Sequence, residues 1–221
     1  MTTKLARLLF LLAAPLLLAS CLTPGRFTSR LEIGRDRSFT FTYVGEAVVT
    51  DPGSAIQITS GEGTDVEQES RPPQELSEAD RQRVMAALAR EVGYRSVEYV
   101  GENKFRIDYA ISGRLDRSFV FPMNPDGMAI IPWVVVQVRR DGTAQVNAGA
   151  FGDSDGSPGN AAPPGGDANR HRRGTFTLVT DADLVRHNSE QRATPGGRST
   201  LNWEVTPEPR PAPTALLRFA G

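Results

Sequence analysis

The sequence has little that could cross-link the chain or give it a strongly charged surface. One cysteine in 221 residues excludes a disulfide within the chain. The 25 basic and 26 acidic residues give a formal charge of −1, which argues against a nucleic-acid-binding protein. Hydrophobic residues make up 39%, which is too many for a disordered chain and too few for a polytopic membrane protein. The length favours one globular domain.

Long apolar runs are confined to the beginning of the sequence. Residues 8–18 form one uninterrupted apolar run, which follows Lys4 and Arg7. A membrane-spanning helix needs about 20 apolar residues, whereas a shorter run after a basic start is typical of an export signal. No later run has membrane length, so we expect no spanning helix.

The only cysteine lies three residues after the end of this run, in Leu18-Ala19-Ser20-Cys21. This motif resembles the lipobox of bacterial lipoproteins. The resemblance implies that residues 1–20 are a signal peptide, that the Cys21 thiol receives a diacylglyceryl group, and that its new amino group is acylated, typically with palmitate. Two or three acyl chains anchor a protein stably, whereas one chain holds weakly. The alternative is an ordinary export signal followed by an unrelated cysteine.

Leu22, rather than aspartate, follows the cysteine. For a Gram-negative host this resembles the sorting pattern of outer-membrane lipoproteins and implies a protein at the periplasmic face. Removal of the signal peptide would take away Lys4 and Arg7. The 23 remaining basic residues and 26 acidic residues would give a formal charge of −3. We therefore expect no large positive field for nucleic acid or anionic lipid. The expected partners are the membrane, through the anchor, and a lipid or an envelope protein.

The rest of the sequence predicts a short lipidated tether at 21–25 and a single domain over 26–221. Apolar residues at every second position predict strands. These strands cover 27–33, 39–49, 97–99, 105–111, 119–121, 134–138, 143–146, 175–179, 201–205 and 215–219. The acidic segment 51–75 and the segment 152–170, rich in glycine and proline, are predicted to be flexible loops.

One helix is predicted, starting at a Ser77 cap with Asp80 three residues later. Gly93 is expected to end it. Its apolar face holds Val84, Met85, Leu88 and Val92. One helix packed on a mostly antiparallel sheet predicts an α+β fold.

The order of hairpin, acidic loop, helix and antiparallel strands resembles the LppM-like lipoproteins over residues 26–206. The late segment Gly197-Arg198-Ser199-Thr200-Leu201-Asn202-Trp203 also carries this resemblance. It implies a lipid-anchored envelope domain with an α+β fold and lipid contact as one role. It supplies no catalytic residues, and we expect a non-enzymatic binding or structural module.

The segment Gly152-Asp153-Ser154-Asp155-Gly156 matches the nucleophile pattern of serine hydrolases. That chemistry needs the serine on a turn from a strand into a helix, with a histidine further along. An apolar strand is expected to end at Phe151, and His171 and His187 lie downstream. A serine hydrolase using Ser154 is therefore the alternative function.

Two segments partly match metal-binding patterns, and neither pattern is complete. Asp153-Ser154-Asp155-Gly156 resembles the start of a calcium loop, but the later ligands are missing. Asp181, Asp183 and His187 are ligand types that suit zinc, although aspartates after a strand commonly form turns. We expect no metal and no other cofactor.

Three further features bear on binding. Arg170-His171-Arg172-Arg173, the densest basic run, could contact a phosphate or a lipid headgroup, although a solvated run is the simpler interpretation. Trp133 and Trp203 are expected in the core. A cavity between sheet and helix would favour a lipid ligand, and a solid core would favour a protein partner. The residues that would line such a cavity are Phe39, Phe41, Met85, Leu88, Phe105 and Ile107.

Overall fold

The computed structural model of the chain describes residues 21–50, 75–123, 132–153 and 170–219. The predicted signal peptide lies outside these residues, as do positions 51–74 and 154–169 of the two predicted loops. The predicted domain boundaries therefore stay predictions.

Twelve strands and one α-helix follow one another along the described chain. They are β1 (Cys21–Ile33), β2 (Ser38–Thr50), α1 (Glu78–Arg90), β3 (Tyr94–Gly101), β4 (Lys104–Arg114), β5 (Phe119–Phe121), β6 (Val134–Val138), β7 (Thr143–Asn147), β8 (Arg173–Thr180), β9 (Asp183–His187), β10 (Gln191–Ala193), β11 (Ser199–Val205) and β12 (Thr214–Arg218).

The predicted α+β fold is wrong, because the described residues are 58% strand and only 14% helical. The strands form two sheets that share one core instead of one sheet covered by a helix. The larger sheet has the order β10-β11-β8-β1-β2-β4-β3, and the smaller has the order β5-β6-β7-β12-β9. A sheet with one apolar face can bury that face against a second sheet as well as against helices, so the fold is mostly β.

The predicted strand pairing is right for the hairpins and incomplete elsewhere. The hairpin of β1 and β2 forms, with Ile33 opposite Phe39 and Cys21 opposite Thr50. One pair is parallel: β8 lies beside β1, with Arg173 opposite Arg26. The short strands β9 and β10 have no counterpart among the predicted strands.

Aromatic rings fill the space between the two sheets. Phe41 of the larger sheet lies 4.9 Å from Phe121 of the smaller sheet, measured between ring centroids. Tyr43 similarly lies 5.1 Å from Trp133, the residue just before β6. Because these rings meet across the sheets, burial of aromatic area is a main contribution to the stability of the fold.

The helix begins as predicted and ends earlier. The Ser77 hydroxyl accepts a hydrogen bond from the Asp80 amide at 3.2 Å, which satisfies one free donor of the first turn. Val84 and Leu88 are buried, and the helix packs on β3. It stops at Arg90, so Val92, which was expected on the apolar face, is 81% exposed. Gly93 turns the chain at φ +108° after the helix.

Candidate functional site

The residues next to Cys21 belong to the folded sheet, although residues 21–25 were expected to form a tether. The backbone of Cys21 begins β1, and Leu22 and Thr23 are 4% and 1% exposed. Trp133 Nε1 donates a hydrogen bond to the Leu22 carbonyl at 3.0 Å. Thr23 Oγ1 donates to the Val48 carbonyl at 3.3 Å. The chain is therefore fixed in place within one residue of the predicted lipidation site.

A pocket of about 300 Å³ lies at this end of the larger sheet. We call it the basic pocket, because five of its six lining residues are basic. The lining residues are Arg26, Glu46, Lys104, Arg170, His171 and Arg173. The fold thus brings residues from β1, β2, β4 and the start of β8 to one place.

Strand register puts the basic pocket near Cys21. Lys104 is paired with Val48, two residues from Thr50, the partner of Cys21. At about 3.3 Å per residue, Lys104 lies about 7 Å from Cys21 along the strand direction. Arg26 lies about 16 Å from Cys21 in the same direction. Arg173, the first residue of β8, is paired with Arg26 of β1.

Two carboxylates partly offset the charge of the basic pocket. Glu46 Oε2 accepts a hydrogen bond from the Arg26 amide at 3.3 Å. Glu102 Oε2 lies 2.6 Å from Lys104 Nζ, and this hydrogen-bonded ion pair lowers the pKa of the Glu102 carboxyl below its usual value. The described lining of the basic pocket thus places three arginines, one lysine and one histidine beside Glu46, with Glu102 paired to the lysine.

Arg172 differs from the other members of the basic run because its side chain is buried. It is 1% exposed, and its Nη1 donates to the Gly152 carbonyl at 2.8 Å. Its Nε donates to the Thr206 carbonyl at 3.3 Å, and its Nη2 lies 3.4 Å from Asp153 Oδ1. The predicted basic run therefore divides into three pocket residues and one structural arginine.

The serine motif lies only partly within the described residues. Ser154, Asp155 and Gly156 are outside them, so the hydrolase alternative stays a prediction that labelling with a fluorophosphonate probe would test. Phe151, which was expected to end a strand, instead ends a 3₁₀ turn, Gly149–Phe151. The motif is thus not entered from a strand, as a nucleophile elbow requires.

Asp181, Asp183 and His187, whose side chains are of types that suit zinc, lie at different positions in the structure. Asp181 Oδ1 accepts a hydrogen bond from the Arg35 amide at 2.6 Å, at the far end of the larger sheet. Asp183 and His187 are the two end residues of β9 in the smaller sheet. In the part of the chain that the structure describes, no group of three or more His, Cys, Asp or Glu side chains could hold a metal ion.

The six residues proposed to line a lipid cavity are packed into the core instead. Phe41, Leu88, Phe105 and Ile107 are at most 2% exposed, and Phe39 and Met85 pack against the same cluster. Trp133 and Trp203 are also core residues, as predicted. The Trp203 indole donates to Asn188 Oδ1 at 3.0 Å. A lipid chain held between sheet and helix is therefore not supported.

A second pocket of about 320 Å³ lies at the opposite end of the larger sheet. We call it the mixed pocket, because its charges are of both signs and form pairs. Arg35 Nε lies 3.5 Å from Asp181 Oδ2, and Arg198 Nη2 lies 3.1 Å from Glu32 Oε2. The Arg30 and Arg198 guanidinium groups lower the pKa of the Glu32 carboxyl. The mixed pocket therefore has no excess of positive charge.

No protein-family model matches the chain, and no curated protein matches it. Among solved structures, the chain is similar to the folded domain of the Mycobacterium tuberculosis LppM protein, determined by NMR. The two sequences are 14% identical, with a TM-score of 0.35 over 90% of this chain and 92% of that one. LppM is the family whose resemblance the sequence suggested, but similarity at this level assigns neither a fold nor a function. Among the described residues, no helix is both long and apolar enough to cross a bilayer.

Proposed function

We propose that this chain is a lipid-anchored, non-catalytic envelope protein whose folded body contacts a lipid or a protein at the membrane. The observation that carries the proposal is the position of Cys21. It is the only cysteine, it lies three residues after the end of the apolar run, and it is the first residue of β1. In a Gram-negative host the proposed location is the periplasmic face of the outer membrane.

Anchoring at Cys21 would hold the body directly against the bilayer. Leu22 is buried and bonded to Trp133, so no flexible linker separates the acyl chains from the sheet. A long linker would let the body sample many orientations, whereas attachment at a strand end restricts them. The proposed role is therefore one in which the same end of the larger sheet always faces the membrane.

The proposal is tested by replacing the anchor and weighing the product. The wild-type chain expressed in a Gram-negative host should fractionate with membranes, and its intact mass should show loss of residues 1–20 and gain of acyl groups. Cys21→Ala should prevent both processing and acylation. Ser20→Ala is the matched control, because it keeps a small residue before the cysteine and should leave localisation and mass gain unchanged.

An unmodified thiol at Cys21, or a wild-type product that retains its first 20 residues, would contradict the proposal. So would membrane fractionation of Cys21→Ala at the wild-type level. Either result would leave the export signal as an ordinary one followed by a cysteine without a role in anchoring.

A further inference from the structure

The residues that follow the predicted cleavage site are paired in the folded chain. We call residues 21–24 the first segment of β1. Cys21 lies opposite Thr50 of β2, and the pairing continues residue by residue to Pro24, which lies opposite Ala47. Pairing in an antiparallel ladder holds both backbones in one extended arrangement. The backbone of the first segment is therefore already engaged by β2.

Two residues of the first segment make further contacts that reinforce this pairing. Leu22 and Thr23 are 4% and 1% exposed. Trp133 Nε1 donates a hydrogen bond to the Leu22 carbonyl at 3.0 Å, and Thr23 Oγ1 donates to the Val48 carbonyl at 3.3 Å. Detaching the first segment would break both hydrogen bonds and expose the Leu22 side chain to water, so the detached state has a higher free energy.

Removal of residues 1–20 would hydrolyse the amide bond between Ser20 and Cys21. Water supplies a hydroxyl group to the Ser20 carbonyl carbon and a hydrogen to the Cys21 nitrogen, and no oxidant or reductant takes part. A peptidase must hold the reacting atoms about 3–3.5 Å apart, and an extended substrate is commonly held by its main chain. Because the first segment begins at this bond, β2 and a peptidase would compete for the same stretch of backbone.

We propose that the first segment of β1 is detached from β2 while the Ser20–Cys21 bond is cut, and that it closes onto β2 only afterwards. The proposal rests on the proposed lipidation of Cys21 and adds an order of events to it. A chain that folds first is cut at a rate limited by how often the first segment opens. A flexible linker after the cysteine would remove this competition between folding and processing.

The test compares folded and unfolded precursor of the full chain. Cell-free synthesis in detergent without membranes would give unprocessed precursor, and near-ultraviolet circular dichroism would report its fold. Solubilised membranes of a Gram-negative bacterium would supply the acyl donors and the peptidase, and intact mass would follow the loss of residues 1–20. Precursor diluted from urea into this mixture should be cut at least about tenfold faster than precursor folded beforehand, since opening breaks two hydrogen bonds.

Two tryptophan variants separate local opening from a loss of global stability. Trp133→Phe removes the donor to the Leu22 carbonyl and should speed cutting of the folded precursor about two- to tenfold, the effect of one hydrogen bond. Trp203→Phe is the matched control. It removes an indole donor to Asn188 Oδ1 in β11, which β8 separates from β1, and should leave the rate unchanged. Diluted from urea, all three precursors should be cut at one rate.

A linker inserted between Cys21 and Leu22 tests the proposal without weakening the core. About eight residues of glycine and serine form a flexible chain that would carry the cleavage site clear of the sheet. The strand from Leu22 onwards keeps its sequence, so its pairing with β2 is retained. The folded precursor with this insertion should be cut as fast as unfolded wild-type precursor, and this result does not depend on the folding of Trp133→Phe.

Equal cutting rates of folded and unfolded wild-type precursor, both with gain of acyl groups, would overturn this proposal and leave the anchor intact. Equal acceleration by Trp133→Phe and Trp203→Phe would overturn it as well, because the effect would then be a loss of global stability. So would slow cutting of the folded precursor that carries the linker. Failure of the anchor gives a different result: neither form of the precursor is cut while a host lipoprotein precursor in the same mixture is, and both proposals are then wrong.

Discussion

Neighbouring residues of the basic run have different roles because successive side chains of an extended chain point to opposite sides. Arg173 starts β8 on the exposed side and lines the basic pocket. Arg172 points inward and bonds to carbonyl groups of Gly152 and Thr206. A buried guanidinium is retained only where its donors are satisfied, and these contacts hold two distant loop segments together.

Replacing Arg172 should therefore destabilise the protein far more than replacing its neighbour. Arg172→Met leaves the two carbonyls without their donor in a buried site, and we expect the free energy of unfolding in urea to fall by about 2–4 kcal/mol. Arg173→Met removes an exposed charge and should change it by less than about 0.5 kcal/mol. Equal losses in the two variants would show that Arg172 has no special structural role.

At the scale of the elements, two glycines flank Phe27 in the larger sheet. The Phe27 position of β1 lies opposite Gly45 of β2 on one side and Gly174 of β8 on the other. A Cβ atom added to Gly45 would overlap the Arg26 carbonyl oxygen, and one added to Gly174 would overlap the Phe27 carbonyl oxygen. The register of β1 shifts at this point, so the glycines accommodate a bulge of β1.

Gly45→Ala should disturb this bulge. The added methyl group meets backbone atoms, which cannot rotate away, so we expect a loss of about 1–3 kcal/mol in the free energy of unfolding, measured by urea titration. Gly113→Ala in β4 is the control. Its added Cβ would come no closer than 3.3 Å, to the ring edge of Phe39, and alanine is favoured over glycine in a strand. A stability loss in Gly113→Ala as large as in Gly45→Ala would contradict the argument.

The sequence predicts where the strands and the helix lie better than it predicts which strands pair. Alternation identifies most strands, and Ser77 marks the start of the helix, because both signals are local. The parallel pairing of β1 with β8 joins segments about 150 residues apart, and no local pattern encodes it. The division of the strands into two sheets depends on the same long-range pairing, which is why the fold class was mistaken.

For the candidate site as well, the sequence indicates the contiguous features but not the residues that come together from different strands. Cys21 and the basic run stand out in the sequence, since each is a short contiguous signal. Arg26, Glu46 and Lys104 are isolated residues of three strands and meet only through the register of the sheet. The burial of Arg172 was also invisible, because a run of basic residues resembles a solvated surface until its alternate faces are known.

For the whole molecule, the aromatic layer between the sheets has a consequence for alkaline stability. Tyr43 is fully buried and donates its hydroxyl to the Glu46 carbonyl at 2.7 Å. Tyr109 lies 4.5 Å from Phe121 and 4.9 Å from Tyr94, measured between ring centroids. Burial raises the pKa of all three tyrosines above the usual value of 10.0, to about 12 for Tyr109. The folded protein therefore opposes formation of phenolate in this layer.

The sign of the resulting pH dependence follows from these raised pKa values. Below about pH 10 the tyrosines are protonated in both states, and their contribution to stability is fully present. As pH rises through 10 and towards the folded-state value of about 12, the unfolded chain releases protons that the folded chain retains, so the free energy of unfolding should fall. Urea titrations between pH 8 and about 12, with tyrosinate absorbance at 295 nm followed in parallel, check this expectation.

Tyr109→Phe removes one of the titrating groups and should flatten the decline of the free energy of unfolding with pH. If the three tyrosines ionise while the near-ultraviolet circular dichroism of the fold is intact, the aromatic layer does not protect them and the prediction is wrong.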